Sequence, residues 1–216
     1  MTLEKLQDRI DGIVAWRKKE LSCLLENVKT AKDFSQSVAI RTGYVLTYAH
    51  FEGAIKHLAS LYLEYVSSQN IEFDKLTMNF LLIGLKENDL KLLFETNKIE
   101  KRIEIIRKIF DMKTSTKLPF KNIIDTESNL KSEILRNILN TVNFDKSKYE
   151  LDYNFIDSNL LKTRNLIAHG DKLDSTCTFE QFEQCNKKVL KLIDDFSKDV
   201  YDYAKSKRYL KINLMN

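Results

Sequence analysis

The segment Arg164-Asn165-Leu166-Ile167-Ala168-His169-Gly170 places a permanent cation, an amide and an imidazole within one short stretch. Histidine titrates near neutrality and moves protons, whereas the arginine guanidinium stays charged and forks onto carboxylate or phosphate oxygens. On a helix, Asn165 and His169 lie four apart and share a face. Arg164 lies about 140° round the axis from His169, with a side chain long enough to reach the same cleft. A phosphodiester could meet both groups there. Gly170 marks the expected end of that helix, because glycine adopts the left-handed conformation that follows a last turn. Spacing alone is a weak signal: eight arginines and three histidines give an Arg-x4-6-His match about once in three random chains of this length. The positioning elements therefore carry much of the argument.

Leu3, Leu6, Ile10, Ile13, Leu21, Leu24 and Val28 recur at helical spacing, which predicts one amphipathic helix over 3–30. Asp33-Phe34-Ser35-Gln36 has the form of a capping box and opens a second helix to about Ser68. Its dominant stripe is Val45, Tyr48, Phe51, Glu52, Ile55, Leu58, Ala59, Tyr62 and Val66. Glu52 sits inside that stripe, so its carboxylate is expected to be partly buried and paired, with Arg164 the obvious partner. Shorter helices are expected over 74–86, 88–95 and 98–111, the last with Ile99, Ile103, Ile106 and Phe110 facing inward. Residues 112–126, with the single proline, Pro119, read as the main internal loop, either an ordered lid or a flexible connection. Further helices follow over about 128–142 and from about 155 to Gly170. Thr178-Phe179-Glu180-Gln181 then opens a long final helix that buries Phe179, Phe182, Val189, Leu192, Ile193, Phe196, Val200 and Tyr203.

Hydrophobic residues make up 43% and charged residues 31%, and mean hydropathy is -0.36, a balance typical of a folded, water-soluble domain. One proline and five glycines are too few for a many-stranded sandwich or barrel, so the expected fold is all-α. The length suits a single domain over 1–216, with residues 70–150 forming a helical insertion. Cys23, Cys177 and Cys185 form no C-x-x-C pair, and no apolar run reaches a membrane span, which favours a cytoplasmic protein with neither export signal nor anchor. A net charge of +4 and a pI near 8.8 permit contact with a polyanion without requiring it. No phosphate-binding glycine loop and no H-E-x-x-H helix is present, so nucleotide hydrolysis and zinc proteolysis have no support. His50 and His57 share a helix face two turns apart, too far to ligate one ion, and read as ordinary helix-surface or boundary histidines. Lys205-Ser206-Lys207-Arg208 with Lys211 reads as solvated surface that could also touch phosphate.

The full string Arg-Asn-Leu-Ile-Ala-His-Gly, between one amphipathic helix and another, resembles the signature of the HEPN superfamily of small α-helical ribonucleases. Tyr48-Ala49-His50-Phe51-Glu52-Gly53-Ala54-Ile55-Lys56 resembles the second helix of its RiboL-PSP-type subset. The resemblance covers about residues 38–68 and 155–205. It implies an all-α, HEPN-like bundle with additional helices between the second helix and the motif helix. It also implies a metal-independent endoribonuclease that needs no cofactor and works as a homodimer, with Arg164 and His169 of two protomers facing each other. Asn165 would orient the imidazole or donate to phosphate, and Glu52 would join as the polar residue of the second helix. Toxin and anti-phage roles are common among the resembling proteins, so an antitoxin or a defence-system protein is an expected partner beside RNA. The same cleft also admits a non-catalytic module that recognises RNA, a nucleotide or a protein, in which Arg164 and His169 merely finish a helix.

Overall fold

The computed structural model describes residues 1–85, 91, 93, 95–171 and 177–211. Three long helices form its centre: α1 (Leu3–Thr30), α2 (Asp33–Ser67) and α7 (Phe179–Lys205), each packed on the other two. Between α2 and α7 the described chain forms α3 (Met78–Gly84), α4 (Ile99–Met112), α5 (Ser132–Val142) and α6 (Lys162–Ala168). A wider π-helical stretch over Phe155–Leu161 runs directly into α6. Among the described residues there is no strand, only an isolated bridge between Leu76 and Leu210. None of these helices is long and apolar enough to cross a membrane.

α2 is the axis of the molecule. Phe51, Leu58, Tyr62 and Leu63 are completely buried, as are Phe182, Val189, Ile193 and Phe196 of α7. Each such side chain contributes about 2–3 kcal/mol relative to exposure. Gly43 makes room for the Phe182 ring of α7, since a Cβ there would stand 2.6 Å from Phe182 Cζ. α7 starts as its sequence predicts: Thr178 Oγ1 accepts from the Gln181 amide, and Gln181 Oε1 accepts from the Thr178 amide.

The expected capping box at Asp33 does not form. Only Ala31 and Lys32 separate α1 from α2, and Asp33 turns the chain with φ +51°. It thus lacks the extended backbone of an N-cap. Lys32 takes that place, accepting from the Gln36 backbone amide, and Gln36 Nε2 donates back to Val28 O. The predicted inward face of α4 is also corrected: Ile99, Ile103, Ile106 and Phe110 are exposed, while Ile105 is buried and Ile109 is half-buried. α4 carries two apolar faces about 110° apart, and it docks on the weaker one. The helix expected over 88–95 falls largely outside the described residues.

Candidate active site

Arg164 and His169 sit on a helix whose end is fixed by its own sequence. His169 is the last residue before Gly170, whose φ of +84° allows the Asp171 amide to reach Leu166 O and the Gly170 amide to reach Ile167 O. This Schellman closure leaves the His169 side chain exposed at the helix C-terminus. Arg41, from the first half of α2, holds the chain just beyond it, donating from Nη1 to Asp171 O at 2.7 Å. At the other end of the motif helix, Asp157 accepts from the Ser132 amide at 2.7 Å and the Ser132 hydroxyl at 2.5 Å. The carboxylate thereby ties the π-helical stretch to the positive start of α5.

Arg164 is half-buried and held on several sides. Its Nη1 donates to Asn129 Oδ1 at 2.9 Å and Asn165 Oδ1 at 2.8 Å, and its Nη2 donates to Ser128 O at 3.3 Å. The guanidinium carbon stands 4.6 Å from the centroid of the Tyr48 ring on α2. Every one of these partners is neutral. Among the described residues no carboxylate lies within ion-pair distance of Arg164, so its charge has no counter-ion there.

Glu52 is half-buried, as its stripe predicts, but its partner is not Arg164. The Thr126 hydroxyl donates to Glu52 Oε1 at 2.6 Å, and the carboxylate also acts electrostatically on the Tyr48 phenol. Tyr48 lies one turn before Glu52 and fills the space beneath the guanidinium, which keeps the two charges apart. Its oxygen accepts from the buried Leu130 amide at 2.5 Å. Burial pushes the phenol well above its ordinary range. Glu52 adds to that rise, and the Leu130 amide and Arg164 oppose it.

The segment before α5 thus reads as an ordered strap. Leu118 O accepts from Ser67 Oγ, Ile124 is buried, and residues 126–130 bond to Glu52, Arg164 and Tyr48 in turn. Glu127 and Ser128 both have positive φ, 51° and 59°, and this turn aims Ser128 O at Arg164. Non-glycine residues in that region cost about 1 kcal/mol each, which the surrounding bonds must offset. Asn165 is brought to Arg164 and not to the imidazole. Among the described residues, the His169 ring has no hydrogen-bond partner within its own chain.

Sequence reasoning missed Arg41, Thr126, Ser128 and Asn129, because bonds from a loop carry no periodic signal. Tyr48 stood in the predicted stripe, but as core. The two other histidines belong to a separate cluster on the opposite face of α2. His50 is buried, with Nε2 3.0 Å from Glu20 Oε2, and Arg17 Nη2 donates to His57 Nδ1 at 2.8 Å. Arg17 itself is only 3% exposed, its guanidinium stacked on Trp16 and bonded to Ile13 O.

Compared with curated proteins and with solved structures, the chain has no match. The family model RiboL-PSP-HEPN matches residues 13–202, from the middle of α1 to the last turn of α7. That match spans the strap, the motif helix and all three central helices, and the chain belongs to the RiboL-PSP-HEPN family.

Proposed function

We propose that this protein is a metal-independent endoribonuclease that uses the Arg164–His169 motif of two protomers. The observation that carries the reading is a guanidinium held in place by neutral acceptors, with no carboxylate among the described residues to neutralise it, one turn before an exposed imidazole. A phosphodiester supplies the missing negative charge. RNA brings its own nucleophile, the 2′-hydroxyl. His169 of one chain takes the 2′ proton while the 2′-oxygen attacks phosphorus, and His169 of the second chain gives a proton to the departing 5′-oxygen. The products are a 2′,3′-cyclic phosphate and a 5′-hydroxyl, with all atoms and protons accounted for. One chain has one motif histidine, and in-line cleavage uses both a base and an acid, so two-fold pairing completes the site. Arg164 stabilises the charge that develops on the phosphorane. The biological setting we propose is a toxin or anti-phage effector held in check by a partner protein.

The test is purified protein incubated with total RNA in excess chelator. Wild type is expected to cut. His169→Ala and Arg164→Ala are each expected to lower the rate at least about 10²-fold while remaining folded. The double variant should lose little more than either single one, because both groups act on one transition state. Tight RNA binding without cutting by the wild type would instead identify a non-catalytic recognition module.

A further inference from the structure

Among the described residues, the outer face of α4 carries a largely exposed apolar seam, its one ring contact being Lys113 Nζ over Phe110 at 4.4 Å. Ile99, Ile103, Ile106 and Phe110 are 66%, 43%, 43% and 59% exposed. Single exposed apolar residues are ordinary, but four aligned on one helix mark a contact surface. Their steps of four, three and four residues are those of a coiled-coil seam, with Ile99 and Ile106 at d positions and Ile103 and Phe110 at a positions. α4 is anchored by other residues: Ile105 is buried, Met112 abuts Gly84 of α3, and Arg102 Nε donates to Thr96 O at 2.8 Å.

We propose that this face binds the same face of a second copy of the chain, with the two α4 helices antiparallel. The seam is complementary to itself in that direction. Antiparallel pairing sets a against d, so Phe110 meets Ile99 of the second copy and Ile103 meets Ile106, with every layer filled under one two-fold axis. Flanking positions e then face e. They are Glu100 and Arg107, both exposed, and the axis pairs them with opposite charge twice. The other flank, Arg102 and Ile109, is half-buried against the chain's own fold. Parallel pairing would instead bring Arg102 beside Arg107 of the second copy, a like-charge contact. Two heptads form a short seam, but α4 is already ordered by its domain, so association does not carry the cost of folding it. Met78 and Leu82 on the adjoining α3 are 60% and 53% exposed and supply further apolar surface.

This interface uses residues remote in sequence from the motif and does not depend on RNA cleavage. Pairing through the motif would also produce a dimer, so the informative quantity is the change in mass on altering α4. Light scattering and sedimentation of the full 25.3 kDa chain should show an assembly whose mass halves in Ile103→Glu, with helicity by circular dichroism unchanged. Glu100→Arg and Arg107→Glu should each weaken association roughly tenfold, and combining them should restore it, because the swapped pair is again complementary. A mass unaffected by Ile103→Glu overturns the proposal. So does a double swap no better than the single ones, or a wild type that stays monomeric at high micromolar concentration.

Discussion

Tyr48→Phe should separate the strap from the cation that it holds. The substitution keeps the ring beneath Arg164, so the stacking contact at 4.6 Å survives. It deletes the oxygen that accepts from the Leu130 amide and contacts Glu52. Leu130 is completely buried, so its amide is left without a partner, at a cost of about 1–3 kcal/mol. For a chain of this length that lowers Tm by about 4–8 °C if the loss is about 2 kcal/mol. Asn129 and Ser128 are the neighbours of Leu130 and hold the guanidinium at 2.9 and 3.3 Å. Loosening them moves the cation by a fraction of an ångström to an ångström, which costs up to about 10²-fold in rate. Denaturant unfolding gives the stability, and single-turnover RNA cleavage well below the new Tm gives the chemistry. A stability change under about 0.5 kcal/mol would show that the Tyr48–Leu130 bond is not formed. A destabilised protein with an undiminished cleavage rate would show that the strap supports the fold without positioning Arg164.

Glu52→Gln keeps an oxygen to accept from Thr126, so it should cost less than about 1 kcal/mol of stability yet slow cleavage about tenfold; equal effects on both would remove Glu52 from the site. Stability should also fall in mild acid. Burial depresses His50 below 6.5, with Glu20 opposing and Arg17 assisting, and burial followed by Arg17 and Lys56 depresses His57. Both rings are therefore neutral in the folded chain where the unfolded chain begins to bind protons. Their contribution is present above pH 6.5 and is lost as pH falls through the lower folded values. Unfolding curves measured across that range should decline less steeply for His50→Asn and His57→Gln than for wild type; identical slopes would contradict the sign.

Much of the architecture was legible because periodicity reports burial. α1, α2, α7 and the capping box at Thr178 follow directly from apolar spacing and cap chemistry, and Gly170 marked the end of the motif helix. Periodicity does not say which of two apolar faces meets the core, and α4 turned the expected one to solvent. Nor does it expose a buried cation: Arg17 occupies a core position of α1 because its charge is met locally by Ile13 O and Trp16 and, from α2, by His57, a partner that only the fold supplies. At the site, residue type and spacing picked out Arg164, Asn165 and His169. The strap residues Thr126, Ser128 and Asn129 were invisible because they act through a loop whose course depends on tertiary bonds to Tyr48 and Glu52.

The most direct measurement uses an RNA oligonucleotide with a single 2′-deoxy substitution at the cleaved nucleotide, in chelator, beside its all-ribose parent. The substitution deletes the nucleophile and leaves the phosphate contacts of Arg164 intact, so binding should be nearly unchanged. The account predicts that the parent is cut to a 2′,3′-cyclic phosphate and a 5′-hydroxyl, and that the substituted strand survives at that position. Continued cutting at the deoxy nucleotide, or products ending in a 5′-phosphate, would contradict it.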